Sequence, residues 1–331
     1  MTGFAARVML LLGVLLSPLS GRGAVILMYH HVSDDTPPAT SISPDLFEKH
    51  LEWIEASGLP VMPLTTLLDR TLNRGEEVEG VAITFDDGYA NVFTQAFPRL
   101  RARGWPFTVF INPARVGISS IYADWAALQA MHDYGALIAN HTRDHPHLVN
   151  LDAAAIRHTI ERAQADIEAR FGKTPRLLAY PYGERSLATD QVLKALGFLG
   201  LSQHSGAVSP ETSPLDIPRF PMNNHYGQEK DFRLRLLTRA LPWQPDATDP
   251  LVRTGEIPVL RFSLSDTIGA RLNCFAEGER IPVIRIGSGR WQTATEHAFR
   301  QRRFKYTCTA PESRKRFYWS SWLWIRPELP E

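Results

Sequence analysis

In the first two thirds of the chain, short apolar runs alternate with amphipathic stretches about seven times, and this alternation limits the possible folds more than any composition figure. The runs AVILMY, VAITF, PFTVFI, ALIAN and LLAY are brief and almost wholly apolar, as strands covered on both faces are. Between them lie helical patterns. Ser43 and Pro44 form a cap and first-turn pair ahead of Phe47, His50, Leu51 and Ile54, which share one helical face. Further helices are expected over Val92 to Arg103, Trp125 to Tyr134 and Asp152 to Phe171. The last carries Ile156, Ile160, Ala163 and Ile167 on one stripe, with Gly172 just beyond. Strand and helix in alternation imply an α/β fold with parallel strands joined by helices. Periodicity leaves open whether the sheet is flat or closed.

The texture changes further on. Residues 241 to 258 hold four prolines and no apolar period, which reads as a linker, so a first domain is expected over 24 to 240 and a second over 259 to 331. The second contains VLRFSLS, ARLNCFA, IPVIRIG, RRFKYTC and RFYWSSWLWIR, short strands separated by turn residues, the pattern of a small β-sandwich. Trp319, Trp322 and Trp324 either fill its core or form a binding surface. Although the whole chain has a net charge of +1, residues 251 to 331 carry 14 Lys or Arg against 8 Asp or Glu, which makes this the basic part.

Arg7 precedes an apolar run from Val8 to Leu16, followed by small residues, the layout of a secretory signal over residues 1 to 23. Nine apolar residues are too few for a permanent span. With no cysteine near the cut, the expected product is exported to the periplasm or medium and is not a lipoprotein. The two cysteines, Cys274 and Cys308, both fall in the proposed sandwich, where an exported chain is expected to join them as a disulfide. Nothing in the sequence resembles a phosphate-cradling loop or a nucleic-acid motif, and oligomeric state is not legible.

Three segments carry chemistry. Residues 81 to 91, VAITFDDGYAN, break from an apolar run into Asp86 and Asp87. Adjacent side chains on a strand face opposite ways, so both can serve one site only where the backbone swings round, as Gly88 permits. A cation would offset the cost of pairing them, although the same string also reads as an exposed turn. In NHTRDHPH, His141 and His145 stand four apart, so one helical turn or tight loop aims both at a point. Two His and a carboxylate form a catalytic zinc-type ligand set. AYPYGE, from Ala179 to Glu184, follows a further strand.

In this order and spacing, TFDDGY, HTRDHP and AYPYGE resemble three motifs of the NodB-homology polysaccharide deacetylases, over roughly residues 24 to 225. The resemblance implies a distorted (β/α) barrel of about seven strands that removes N-acetyl groups from amino sugars with one divalent metal. It makes Asp87, His141 and His145 the ligands and Asp86 the base that takes a proton from the attacking water. It places the backbone N–H of Tyr182, after Pro181, as an oxyanion donor beside the substrate. The family's third motif has an Arg two residues before the proline to brace the base, whereas this chain has Ala179, so Arg176 or Arg185 could serve only if the fold brings one near. The first strand ends in His30 and His31, similar to the biofilm poly-N-acetylglucosamine deacetylases, which makes His30 the expected general acid and His204 its competitor.

The expected function is metal-dependent removal of acetate from an N-acetylated envelope or extracellular polysaccharide. Zinc is the expected metal, and cobalt, nickel and iron suit the same ligands. Two alternatives stay open: a glycan-binding protein that lost catalysis, and a hydrolase of another non-peptide C–N bond.

Overall fold

The computed structural model describes residues 23 to 246, 248 to 314 and 316 to 331, so the expected signal segment lies almost wholly outside the described residues. Seven parallel strands form one curled sheet: β1 (Ala24–Tyr29), β2 (Gly80–Phe85), β3 (Thr108–Ile111), β4 (Leu137–Asn140), β5 (Leu177–Ala179), β6 (Leu199–Leu201) and β7 (Phe220–Pro221). Their order is β6-β5-β4-β3-β2-β1-β7. All residues of β1 and β2 are buried, as the uninterrupted apolar runs require.

The joining helices follow the sequence closely. In α1 (Pro44–Ser57) the Ser43 side chain accepts from the Leu46 N–H, and Phe47, His50, Leu51 and Ile54 are its buried residues. Helix α2 spans Trp125–Tyr134, and α3 (Ala153–Phe171) is capped by Asp152. Helix α4 (Leu187–Leu196) starts in a capping box from Ser186 and Thr189.

The two edges of the sheet are brought together by one short segment. Ile217 exchanges backbone hydrogen bonds with β6, accepting from Ser202 and donating to Gly200. Three residues on, Phe220 and Pro221 pair with β1 opposite Leu27 and Met28. The sheet is therefore a half-barrel whose gap is bridged by residues 217 to 221, with Arg219 in the middle of the bridge and fully buried.

Beyond it, two mainly antiparallel sheets form a second layered unit. One sheet has the order β8-β16-β15-β11-β12: β8 (Arg239–Ala240), β16 (Phe317–Ile325), β15 (Arg303–Pro311), β11 (Asn273–Ala276) and β12 (Glu279–Ile281). The other is β9-β10-β14-β13: β9 (Gln244–Pro245), β10 (Leu260–Ser263), β14 (Arg290–Thr293) and β13 (Val283–Gly287). Its core draws on both sheets, with Leu260, Phe262 and Trp291 from one and Tyr306, Trp322 and Trp324 from the other. Strict alternation of burial along β15 shows a single inward face.

Cys274 and Cys308 lie opposite each other on β11 and β15 and form a buried disulfide. The proline-rich stretch from 241 to 258 is woven into this unit: Gln244 and Pro245 pair with β10, and Leu241 and Val252 join the core. Trp322 and Trp324 are buried core residues, and Trp319 packs edge-on against Phe220 of the barrel, 5.6 Å between ring centres. No helix among the described residues is long and apolar enough to cross a membrane.

Candidate active site

Asp86 and Asp87 follow β2 directly, and the backbone swings round one residue earlier than the glycine alone suggests. Asp87 has φ 70° and Gly88 φ 68°, both left-handed. A side chain at Gly88 would also meet Ile111 at 3.0 Å. Five non-glycine residues in the described chain have positive φ, and four of them, Asp87, Thr142, His145 and Tyr182, belong to the three motif segments. Each such conformation costs on the order of 1 kcal/mol or more, and its clustering here marks a site whose geometry is held by its surroundings.

His141 follows β4, and His145 sits in the tight loop after it. Asn140 and Asn112 organise that loop: Asn140 Oδ1 accepts from the Thr142 N–H at 2.8 Å, and Asn112 Nδ2 donates to the carbonyls of His141 and Thr142. The Nε2 atoms of His141 and His145 stand 3.4 and 3.3 Å from Asp87 Oδ1. His141 donates its Nδ1–H to the Ala179 carbonyl at 2.7 Å, which fixes the tautomer and leaves Nε2 as a lone-pair donor. Asp87 Oδ1 and His141 Nε2 are buried without a hydrogen-bond partner among the described residues. Two buried ligand atoms without partners, converging with a second imidazole, fit a divalent metal.

Burial lowers His141, but the Asp87 carboxylate beside it and the charge of Asp86 raise it above the ordinary imidazole value, so metal binding at Nε2 would displace a proton. Burial works against the charged form of Asp87, but His141 above all outweighs it and holds the carboxyl far below its ordinary range. Burial, reinforced by His141, pushes His145 down to about 3, keeping it the neutral imidazole that a metal ligand must be. Tyr89, within the first motif, is held protonated by burial and by the charge of Asp87, and its ring stacks on His31 at 3.5 Å.

Asp86 is fully buried, and its brace is Arg219. Arg219 Nη1 donates to Oδ1 at 2.7 Å and Nη2 to Oδ2 at 2.8 Å, a bidentate pair in which neither side chain is exposed. Arg219 Nε is itself anchored on the Ser202 carbonyl at 3.0 Å. Burial alone would raise the Asp86 carboxyl, yet Arg219 and then His141 bring it below the ordinary carboxylate range. Neither expected substitute plays this part. Arg176 donates to the Leu196 carbonyl, and Arg185 is held between Asp190 and Asp216, both at 2.7 Å. The brace comes from the bridging segment instead, where the proline-flanked string Pro218-Arg219-Phe220-Pro221 is the one local signal of a short edge strand.

His30 leaves β1 half-buried, near enough to be a lesser influence lowering both the Asp86 and Asp87 carboxyls. His204, the competing candidate, follows β6 and is tied through Nε2 to Asp216 at 2.8 Å. With Arg185 and Trp322 it lines a cavity of about 470 Å³ between the barrel and the second unit. Pro181 is buried at the start of the third-motif turn. Tyr182, half-buried at φ 60°, lies edge-on to His145 with ring centres 4.4 Å apart.

Residues 73–201 match the family model described as polysaccharide deacetylase. Over 186 residues the chain is 26% identical to the Bacillus subtilis protein YxkH, covering 56% of this chain and 66% of that protein. Over 193 residues it is 25% identical to a Staphylococcus aureus poly-beta-1,6-N-acetyl-D-glucosamine N-deacetylase, covering 54% of this chain and 67% of that one. The chain thus spans about two thirds of the length of these curated relatives.

Among solved structures it is similar to IcaB from Ammonifex degensii, with a TM-score of 0.58 and 25% identity over 62% of this chain and 94% of that one. The Streptococcus pyogenes deacetylase PplD shares the fold, with a TM-score of 0.57 and 21% identity over 62% of this chain and 94% of that one. By its motifs, its half-barrel and these matches, the chain carries a domain of the polysaccharide deacetylase family across residues 73–201.

Proposed function

We propose that this protein is a metal-dependent hydrolase that removes N-acetyl groups from amino-sugar residues of an exported polysaccharide. The observation that carries the reading is the convergence of Asp87, His141 and His145, with Asp87 Oδ1 and His141 Nε2 buried and unpartnered among the described residues, next to an Asp86 locked by Arg219. A divalent metal held by these three side chains would supply Lewis acidity toward the amide and its water. Zinc suits the set best, with cobalt, nickel or iron compatible.

The chain's own residues do the remaining work. Arg219 keeps Asp86 ionised and fixes the direction of its carboxylate, so that Asp86 accepts the proton as water oxygen adds to the acetyl carbon. The Tyr182 N–H, carried on a backbone held in its left-handed conformation, donates to the carbonyl oxygen as it gains charge. His30 delivers a proton to the sugar nitrogen as the C–N bond breaks, giving acetate and a free amine. Asp86 then returns its proton to solvent and His30 regains one.

The relative named for poly-beta-1,6-N-acetyl-D-glucosamine supports that polymer as the first substrate to try. The rival reading, a binding protein that lost catalysis, rests on the missing third-motif arginine, and Arg219 removes that ground. Export over residues 1 to 23 and a disulfide-stapled second domain belong to the same proposal. Acetate release from poly-N-acetylglucosamine, chitin and peptidoglycan fragments by metal-reconstituted protein tests it. Release from at least one is expected, and none from all three overturns it.

A further inference from the structure

The third-motif turn is clamped from outside the barrel. Glu184, which ends AYPYGE, is fully buried, and its two oxygens take four hydrogen bonds. Arg302 donates Nε to Oε1 at 2.7 Å and Nη2 to Oε2 at 2.9 Å. Arg303 adds Nη1 to Oε1 at 2.9 Å, and His147 Nδ1 meets Oε2 at 2.8 Å. Both arginines come from the second unit, at the start of β15, and lie outside the residues that match the family. Arg302 is anchored there, its Nη1 donating to the carbonyls of Pro327 and Leu329 at 2.7 and 2.6 Å.

The clamp reaches the site in two contacts. His147 stacks on the Tyr182 ring, centres 4.0 Å apart and planes within 9°. The Arg303 guanidinium lies 5.3 Å from the centre of the same ring. Tyr182 in turn touches the candidate ligand His145. A left-handed tyrosine next to Gly183, where any side chain would strike Gln203 at 2.7 Å, persists only if its neighbours hold it. Glu184, His147 and Glu331 also lie close enough to suggest a second cation site. With two guanidiniums already neutralising Glu184, the cluster reads as a latch.

We propose that the C-terminal β-sandwich is a working part of the active site, with Arg302 and Arg303 acting as positioning residues that set the Tyr182 turn through Glu184 and His147. This rests on the deacetylase reading for its catalytic consequence, though the latch itself can be read without activity. The test compares wild type with Arg302→Gln and Arg303→Gln by hydrogen exchange of segment 177–186, metal content, and kcat and KM for acetate release.

Exchange in that segment is expected to rise at least about tenfold and kcat to fall at least about tenfold, while metal content holds and KM moves less than about threefold. If Arg302→Gln does not fold, Arg303→Gln, which removes one of the four bonds and the cation over Tyr182, decides alone. Unchanged exchange in 177–186 overturns the latch. Faster exchange with kcat within twofold of wild type overturns its catalytic role. If wild type releases no acetate, the proposed function fails, and the exchange result still decides whether the latch exists.

Discussion

Replacing Arg219 by Met should damage stability and turnover together, through a single cause. In the folded chain both the Arg219 and Asp86 side chains are completely excluded from solvent, and both carboxylate oxygens are paired to the guanidinium. Removing the cation leaves a buried carboxylate without its main compensation, a situation that costs about 3–5 kcal/mol. Asp86 escapes part of that cost by taking up a proton, because desolvation, the largest influence on it, then acts with less opposition. A protonated Asp86 is no longer a proton acceptor. Turnover should therefore fall at least about 100-fold, the lower range of what a positioned base contributes.

The decisive assay is a double-mutant cycle. Thermal or urea unfolding and acetate release are measured for wild type, Arg219→Met, Asp86→Asn and the pair. The neutral amide that Asp86→Asn introduces needs no counter-charge, so Arg219→Met should cost at least about 2 kcal/mol less in that background, well beyond the scatter of independent sites. Additive stability losses, or a single Arg219→Met variant with turnover within threefold of wild type, would refute the reasoning.

Two further outcomes follow from groups away from the site. His50 is buried between the Tyr29 hydroxyl at 2.9 Å and the Gly227 carbonyl at 2.7 Å, and burial pushes it down to about 4. The unfolded chain then binds the extra proton first, so stability is lost as pH falls from about 6.5 towards 4, by about 3 kcal/mol in all. Urea unfolding of wild type against His50→Gln should show that dependence flattened in the variant, and parallel curves would contradict it. Reducing the disulfide Cys274–Cys308, 34 residues apart in sequence, should destabilise the sandwich by about 3–4 kcal/mol, read as a lowered Tm with dithiothreitol, and an unmoved Tm would count against that figure.

What could be read in the sequence was what is local. Strand runs, the Ser43 cap and the α3 stripe each depend on residues within one or two turns, so pattern and structure coincide. The three motif segments are legible for a related reason: each sits at the end of an apolar run, and the parallel sheet delivers all those ends to one rim. Arg219 was hidden because its partner lies 133 residues away and its strand is too short to show a period. The same applies to Leu241 and Val252, single apolar residues among prolines that become core only once two sheets close over them. Nor do Asp87, His145 and Tyr182 announce left-handed backbones by residue type. Packing imposes them.

The central claim is that Asp87, His141 and His145 hold a metal while Asp86 does the proton transfer. Adding zinc stepwise to chelator-stripped wild type, Asp86→Asn and His141→Ala, with bound metal and acetate release from N-acetylglucosamine oligomers measured at each step, separates the two roles. Wild type should gain release in proportion to bound metal up to about one ion per chain, Asp86→Asn should bind the ion and release no acetate, and His141→Ala should lose both. Turnover that survives full chelation, or that persists in Asp86→Asn, would contradict the account.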